Sequence, residues 1–137
     1  MRKFTAGELS KILKKHKRWY DTDKKEGKRA DLSGADLSDA DLSGADLRKA
    51  NLSAVKLSGA DLYCGKLSHA NLSDADLSSA DLRSADLGDA KLSHANLSGA
   101  DLNHAKLNAA NLSEANLREA NLDGAYLSGA DLNHAKL

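Results

Sequence analysis

The side chains that could do chemistry in this chain are spread by a period instead of being gathered into a site. Four of the five histidines, His69, His94, His104 and His134, stand two places after a leucine, and serine fills 12 of the 21 complete places immediately after one. Serine, histidine and aspartate are the ingredients of nucleophilic catalysis, and histidine with carboxylates or thiols those of a metal centre. Both need partners held at fixed geometry. No HExxH, CxxC, phosphate-cradling glycine loop or GxGxxG run occurs, and no base is evidently placed to activate a serine. Cys64 is the only cysteine, so no intrachain disulfide can form, and a reducing, cytoplasmic setting is expected. No run of apolar residues resembles a secretory leader or reaches membrane-spanning length. These residues read as turn formers, and no catalytic residue, cofactor or metal is assigned.

The element that must position them is a repeat. Leucine occupies every fifth place from Leu32 to Leu137, 22 times, and alanine lies two places earlier in 20 cases, with Val55 and Gly65 in the other two. On a helix, five residues turn about 500°, so the leucines would wander around the axis. On a straight strand an odd period puts them on alternate faces. The chain must therefore bend once per unit. Alanine and leucine, two apart, face one way, and the residue between them faces out. It is Asp in ten units, Asn in six, Lys in five and Tyr126 once. After each leucine come two turn formers. Reiterated, an inward pair, an outward polar residue and a bend wind a coil with an aliphatic lining, whose core includes Leu62, Leu82, Leu102, Ala80 and Ala100.

The unit A-[DN]-L-S-G, as in Ala30-Asp31-Leu32-Ser33-Gly34, resembles the pentapeptide-repeat family over residues 30–137. That resemblance implies an all-β solenoid, a right-handed quadrilateral β-helix with four units per coil, here about 26 Å long at the spacing of stacked strands. The lumen would be filled, leaving no pocket for substrate. At Gly65 the missing methyl predicts either a small cavity or an inward shift, with Val55 compensating.

Residues 1–29 form a separate N-terminal part. Leu9, Ile12, Leu13, His16, Trp19 and Tyr20 fall at helical spacing opposite a lysine-rich face, and Thr5 with Glu8 reads as a capping box. The spacing predicts a helix over about residues 6–20, then a polar loop. The first coil would otherwise expose its lumen and edge, so Leu9, Ile12, Leu13 and Trp19 are expected to cap it, Trp19 as a lid. Binding to a membrane surface or a partner helix is the alternative use of this segment. Its net charge is +7 against −7 for the array. The basic face is read as solvated, although it could also meet an acidic partner or nucleic acid.

Four units per coil would stack residues 20 apart into outward ladders. One reads Asp41, Asp61, Asp81, Asp101, Asn121, and like charges so close should repel unless solvent, Arg83, cations or raised pKa values relieve them. A divalent-cation column and an imitation of a nucleic-acid backbone are the sharper readings. Another ladder, Asp46, Lys66, Asp86, Lys106, Tyr126, alternates in sign. His94 and His134 would share a side about 10 Å apart, too far for one metal. The leading function is a non-enzymatic scaffold or protein-interaction module whose partner is unknown. Alternatives are a DNA mimic that modulates a type II topoisomerase (gyrase), known among proteins of this resemblance, and a consensus-like or engineered array without a dedicated partner. Direct binding of nucleic acid or membrane is not expected. At the far end Leu122, Tyr126, Leu127, Leu132 and Leu137 would leave an uncovered edge, and a homodimer through this C-terminal coil is expected.

Overall fold

The computed structural model describes residues 1–137 and resolves the five-residue period into a four-sided coil. Eighteen parallel bridges join each outward residue to the one 20 places on, from Asp31–Asn51 to Asn116–Lys136 without a break. One turn of the coil therefore holds four pentapeptides. Each side pairs through a single residue because most of the unit is spent on the corner, so no side lengthens into a longer strand. The only two-residue strands are β1 (Arg2–Lys3) and β2 (Ala35–Asp36), paired in parallel, and the one helix is α1 (Ala6–Asp21).

Residues 71–75 show why the unit closes. The N–H of Asn71 donates to Ala50 C=O in the preceding coil (3.0 Å), while those of Leu72 and Asp74 donate to Lys91 and Ser93 C=O in the next (2.7 and 3.0 Å). Ala75 N–H closes the corner onto Leu72 C=O at 3.1 Å. Asp74, third in that four-residue corner, has φ 60°, the arrangement of a type II turn. The remaining N–H, of Ser73, goes to the side-chain oxygen of Asn71 at 3.2 Å, and the Ser73 hydroxyl follows it at 2.9 Å. All five donors are satisfied inside the stack. The short outward Asp or Asn is thus part of the corner, an Asx turn that lysine cannot make.

Inside, leucine and alanine fill the lumen. Leu62, Leu82, Leu102 and Ala100 are fully buried, and Ala80 nearly so, in one continuous core that begins in the cap at Leu9 and runs along the coil to Leu117. Val55 and Gly65 lie two units apart, on opposite sides of one coil. The corner bond of Val55 is 3.2 Å and that of Gly65 is 2.8 Å, against 2.9–3.1 Å at all other corners. The corner is slightly longer at the larger residue and slightly shorter where the methyl is missing. A Cβ at Gly65 would stand 2.9 Å from Leu62 C=O and 3.6 Å from Leu67 Cδ1, so the site is not an empty hole.

Thr5 caps α1 through a reciprocal capping box with Glu8 (3.2 and 2.8 Å). The helix lays Leu9, Ile12 and Leu13, with Phe4 before it, on the first coil. Trp19, expected as the lid, stands aside: it is half-buried, stacked on His16 with ring centroids 5.5 Å apart. His16 is the deepest polar group, fully buried. Its Nδ1 accepts from Ala30 N–H at 2.9 Å and its Nε2 lies 2.9 Å from Arg48 C=O. An amide must donate and a carbonyl must accept, which fixes the neutral ring with its proton on Nε2. Gly27 lets the following loop return against the helix, because its φ is 77° and a Cβ there would lie 2.2 Å from Lys15 C=O. Tyr20 receives the Arg48 guanidinium 3.7 Å from its ring centroid, tying the helix end to the coil.

Two outcomes follow from this core. Leu82→Ala should cost about 2–5 kcal/mol in urea unfolding, because the stacked sides cannot collapse into the hole, and an unchanged midpoint would remove Leu82 from the lumen. Burial holds the His16 pKa below its ordinary 6.5, with Arg29 and Arg48 adding to the shift and Asp46 and the Arg48 carbonyl opposing it. The unfolded chain then binds more protons than the folded one, so this stability is complete above pH 6.5 and is lost as pH falls through the folded value. His16→Ala should be less stable at neutral pH and show a flatter pH profile below 6.5; parallel profiles for the two proteins would remove His16 from the account.

Candidate functional site

Ladders of outward side chains are the chemistry this fold can present. The bridges stack Asp41, Asp61, Asp81, Asp101 and Asn121 on one side, placing carboxylates at about 4.8 Å intervals. Raised pKa values are not how this column is relieved where a shift is evident. The Asp41 carboxylate is held below its usual range by the hydroxyl and N–H of Ser43 (2.7 and 3.1 Å). Asp81 is held low chiefly by Arg83, whose Nε and Nη2 donate at 2.9 and 2.6 Å. Arg83 also reaches to 3.9 Å from Asp101 and lies 5.4 Å from the ring centroid of Tyr63, which is 46% exposed. Asn121 donates to Asp101 at 3.2 Å. The strip is therefore interrupted: Arg83 bridges its middle, and Asp41 and Asp61 lie free of any cation at its cap end.

The remaining sides are balanced. Asp46, Lys66, Asp86, Lys106 and Tyr126 stack in the alternating order. Asp31 and Asp36 sit beneath Arg2 and Lys3 of the cap. The histidines form no centre: His69 lies 3.8 Å from Asp89 and His94 3.5 Å from Glu114, each one coil apart along a corner. No group of three or more His, Cys, Asp or Glu side chains could hold a metal ion. Cys64 is exposed beside Tyr63. At the far end Leu122, Leu127 and Leu132 are half-buried, while Leu137 is 79% exposed and Tyr126 56%. The N–H groups of Leu122, Leu127 and Leu132, which in inner coils donate onward, have no partner.

A concave surface does occur, outside the lumen. A groove of about 570 Å³ lies between α1 and the first coil, floored by Phe4, Leu9, Leu13, Leu37 and Ala40 and walled by Lys14 and Lys17 against Asp36, Asp41 and Asp46. Sequence reasoning foresaw a helix covering this end but not an incomplete cover. It also placed His16 on the apolar face without recognising it as the polar pin of the cap. No helix of the chain is long and apolar enough to cross a membrane.

Comparison with known proteins agrees with this geometry. A family model described as pentapeptide repeats matches residues 28–62, 66–99 and 100–137, with eight copies. A pentapeptide repeat protein from the thylakoid lumen of Arabidopsis thaliana is similar at 35% identity and TM-score 0.63, over 64% of this chain and 61% of that one. QnrB1, a plasmid-mediated fluoroquinolone resistance protein, is similar at 26% identity and TM-score 0.69, over 78% of this chain and 59% of that one. The chain thus spans about three-fifths of each of those structures. No curated protein matches it by sequence.

The acidic side generates one prediction. Arg83→Ala should cost at most about 1 kcal/mol, yet the variant should gain more stability than the parent from added sodium chloride, because Asp61, Asp81 and Asp101 then face one another unscreened. Low-millimolar calcium should do no more than sodium chloride of equal ionic strength. A calcium-specific rise in Tm would instead establish a cation column.

Proposed function

The chain belongs to the pentapeptide-repeat family, and on that premise we propose that it is a non-enzymatic, cytoplasmic scaffold that presents fixed ladders of side chains to another protein. The observation that carries this reading is the closed hydrogen-bond pattern of the unit. With the lumen filled and the backbone of the inner coils satisfied wherever Asp or Asn stands outward, the sides are rigid, and their outward residues are held in rows at the strand spacing. Binding to such a surface loses little in ordering the protein. The same reading makes the coil right-handed, the sense in which parallel crossovers close.

A homodimer through the last coil belongs to the proposal. The free N–H groups of Leu122, Leu127 and Leu132 and the free C=O groups of Ala120, Ala125 and Ala130 supply both donors and acceptors along this edge, beside the exposed Leu137, and a two-fold contact would cover two such edges at once. Tyr126 would lie at its rim.

The DNA-mimic reading has one feature in its favour, the column Asp41, Asp61, Asp81, Asp101. Against it stand Arg83 in the middle of that column, lysines on other sides, and a +7 cap that offsets the −7 array. The similarity to a fluoroquinolone resistance protein makes the test worth doing. The scaffold reading expects gyrase supercoiling, and its inhibition by a quinolone, to be unchanged by micromolar protein, and expects a saturable protein partner in a pull-down from the source cell. Altered supercoiling would replace it with the mimic; no saturable partner would leave an array without one. Light scattering over a concentration series should show a dimer that Leu132→Lys dissociates.

A further inference from the structure

The cap closes three parts of the first coil and leaves one open. On the side of Asp36, β1 supplies the missing rung: Arg2 pairs with Ala35 and Lys3 with Asp36, in parallel, as one coil pairs with the next. Outside this rung Lys3 Nζ lies 3.4 Å from the Asp36 carboxylate, and inside it Phe4 packs on the core. On the side of Asp31, Arg2 donates to Asp31 C=O at 3.1 Å and His16 takes the Ala30 N–H. Near Asp46, Arg48 and Tyr20 fold the helix end down over the corner. Over Asp41 nothing arrives. Its N–H and C=O have no partner within the chain, although the equivalent groups of Asp61 bond Ala40 C=O and Leu42 N–H; the main-chain groups of Asp46 are likewise unpaired, but that residue is half-buried and its carboxylate is held by Arg48. The two alanines that bracket this side, Ala40 and Ala45, are only half-buried, whereas Ala30, Ala35 and Ala50 are at most 2% exposed.

This open edge forms one wall of the 570 Å³ groove beside α1, a volume within the range of binding clefts. It combines an unpaired strand edge, an apolar floor and carboxylates at the outer rim. The geometry points to a docking site for an extended segment of a partner protein that adds a parallel rung over Asp41, with a small or aliphatic residue turned inward and a lysine or arginine turned outward. The occupant is read from the chain itself, since β1 already does this one side away with Lys3 outside and Phe4 inside. Main-chain bonds to an exposed edge supply affinity, and alternate side chains supply selectivity. Outward basic residues suit the position because Asp41 and Asp61 are the carboxylates of that side with no cation against them. Lys17 on the helix wall is already paired with Asp21, leaving Lys14 as the one free cation facing the groove. A segment with an outward acid would stand directly on Asp41 and be repelled.

This inference rests on the scaffold reading for the existence of a partner, and names where and what it would engage. The test uses the full chain, labelled with 15N, and an end-blocked peptide, Ser-Gly-Ala-Lys-Leu-Ser-Gly, as probe. Saturable binding on the order of millimolar or tighter is expected, with amide shifts in residues 9–17 and 36–46 and slowed hydrogen exchange at the Asp41 amide. The same peptide with Asp for Lys should bind more weakly. Asp41→Asn keeps the corner, as Asn does in six other units, and should weaken the lysine peptide about two- to fivefold. Ser10→Trp, on the exposed helix wall of the groove, should abolish binding without touching the core. Absence of saturable binding, equal binding by all three proteins, shifts confined to residues 122–137, or occupation of the groove by a second copy of the chain would each overturn the proposal. Its failure would leave the flat sides available to the pull-down, so the two readings fail separately.

Discussion

Everything in this molecule depends on the stacking bond between coils, the N–H of each inward leucine donating to the outward residue 19 places later. That bond sets the register of 20, because only four corners bring the chain back over itself with leucine inward on every side. It also makes the corner obligatory. To turn within four residues the chain places the second residue after leucine in the left-handed region, and it does so with Asp, Lys, Ala, Cys, His, Ser and Glu as well as glycine. Left-handed backbone is costly for residues other than glycine, by roughly 1–2 kcal/mol each. The stack overrides this local preference at 15 corners after leucine with non-glycine residues, Asp39 to His134. Neighbouring coils over-determine each corner, which is why a sequence of modest local propensity folds into so regular an object.

The same constraint governs the electrostatics. Because an outward Asp also accepts from the corner behind it, its charge is held by hydrogen bonds before any cation is considered. Asp31, Asp36 and Asp41 have their pKa lowered first by Ser33, Ser38 and Ser43, not by Arg2 or Lys3. A column of like charges can therefore persist, since each carboxylate does structural work in its own unit while repelling its neighbours through solvent. Where lysine takes the outward place, the corner loses that acceptor and the ladder gains a counter-charge. The balance between Asx corners and alternating charge is what separates the acidic side from the side bearing Lys66 and Lys106.

How much of this could be read from residues alone varies with the range of the cause. The inward pair was legible along the whole array because burial imposes Leu at every unit and Ala at all but those of Val55 and Gly65. The helix start was legible in Thr5 and Glu8, whose pairing is local. Four units per coil was not contained in the period and came from family resemblance. The role of Asp and Asn in the corner was missed although the signal was present: Ser follows an outward Asp or Asn in eight units, and an Asp-x-Ser spacing is an Asx-turn pattern. The cap was the hardest part. Size suggested Trp19 as the lid, but covering a narrow aliphatic lumen requires Leu9, Ile12 and Leu13, while the two backbone groups at the joint require a side chain that donates and accepts. His16 does both from the two nitrogens of one ring, and only the meeting of residues 16, 30 and 48 in space reveals it.

A closed interior moves any binding function to the boundaries. Along the sides, every main-chain donor of the inner units with an outward Asp or Asn is satisfied, so a partner there can meet side chains only. At the ends main-chain groups remain free, and the two ends differ. On the last coil the N–H groups of Leu122, Leu127 and Leu132 and the C=O groups of Ala120, Ala125 and Ala130 have no partner. The first coil is covered by β1, Arg2, His16 and the Tyr20–Arg48 contact, and the main chain left unpaired beside the helix is that of Asp41 and Asp46. That opening cannot admit a coil, because a coil needs all four sides at once, but it can admit one extended strand.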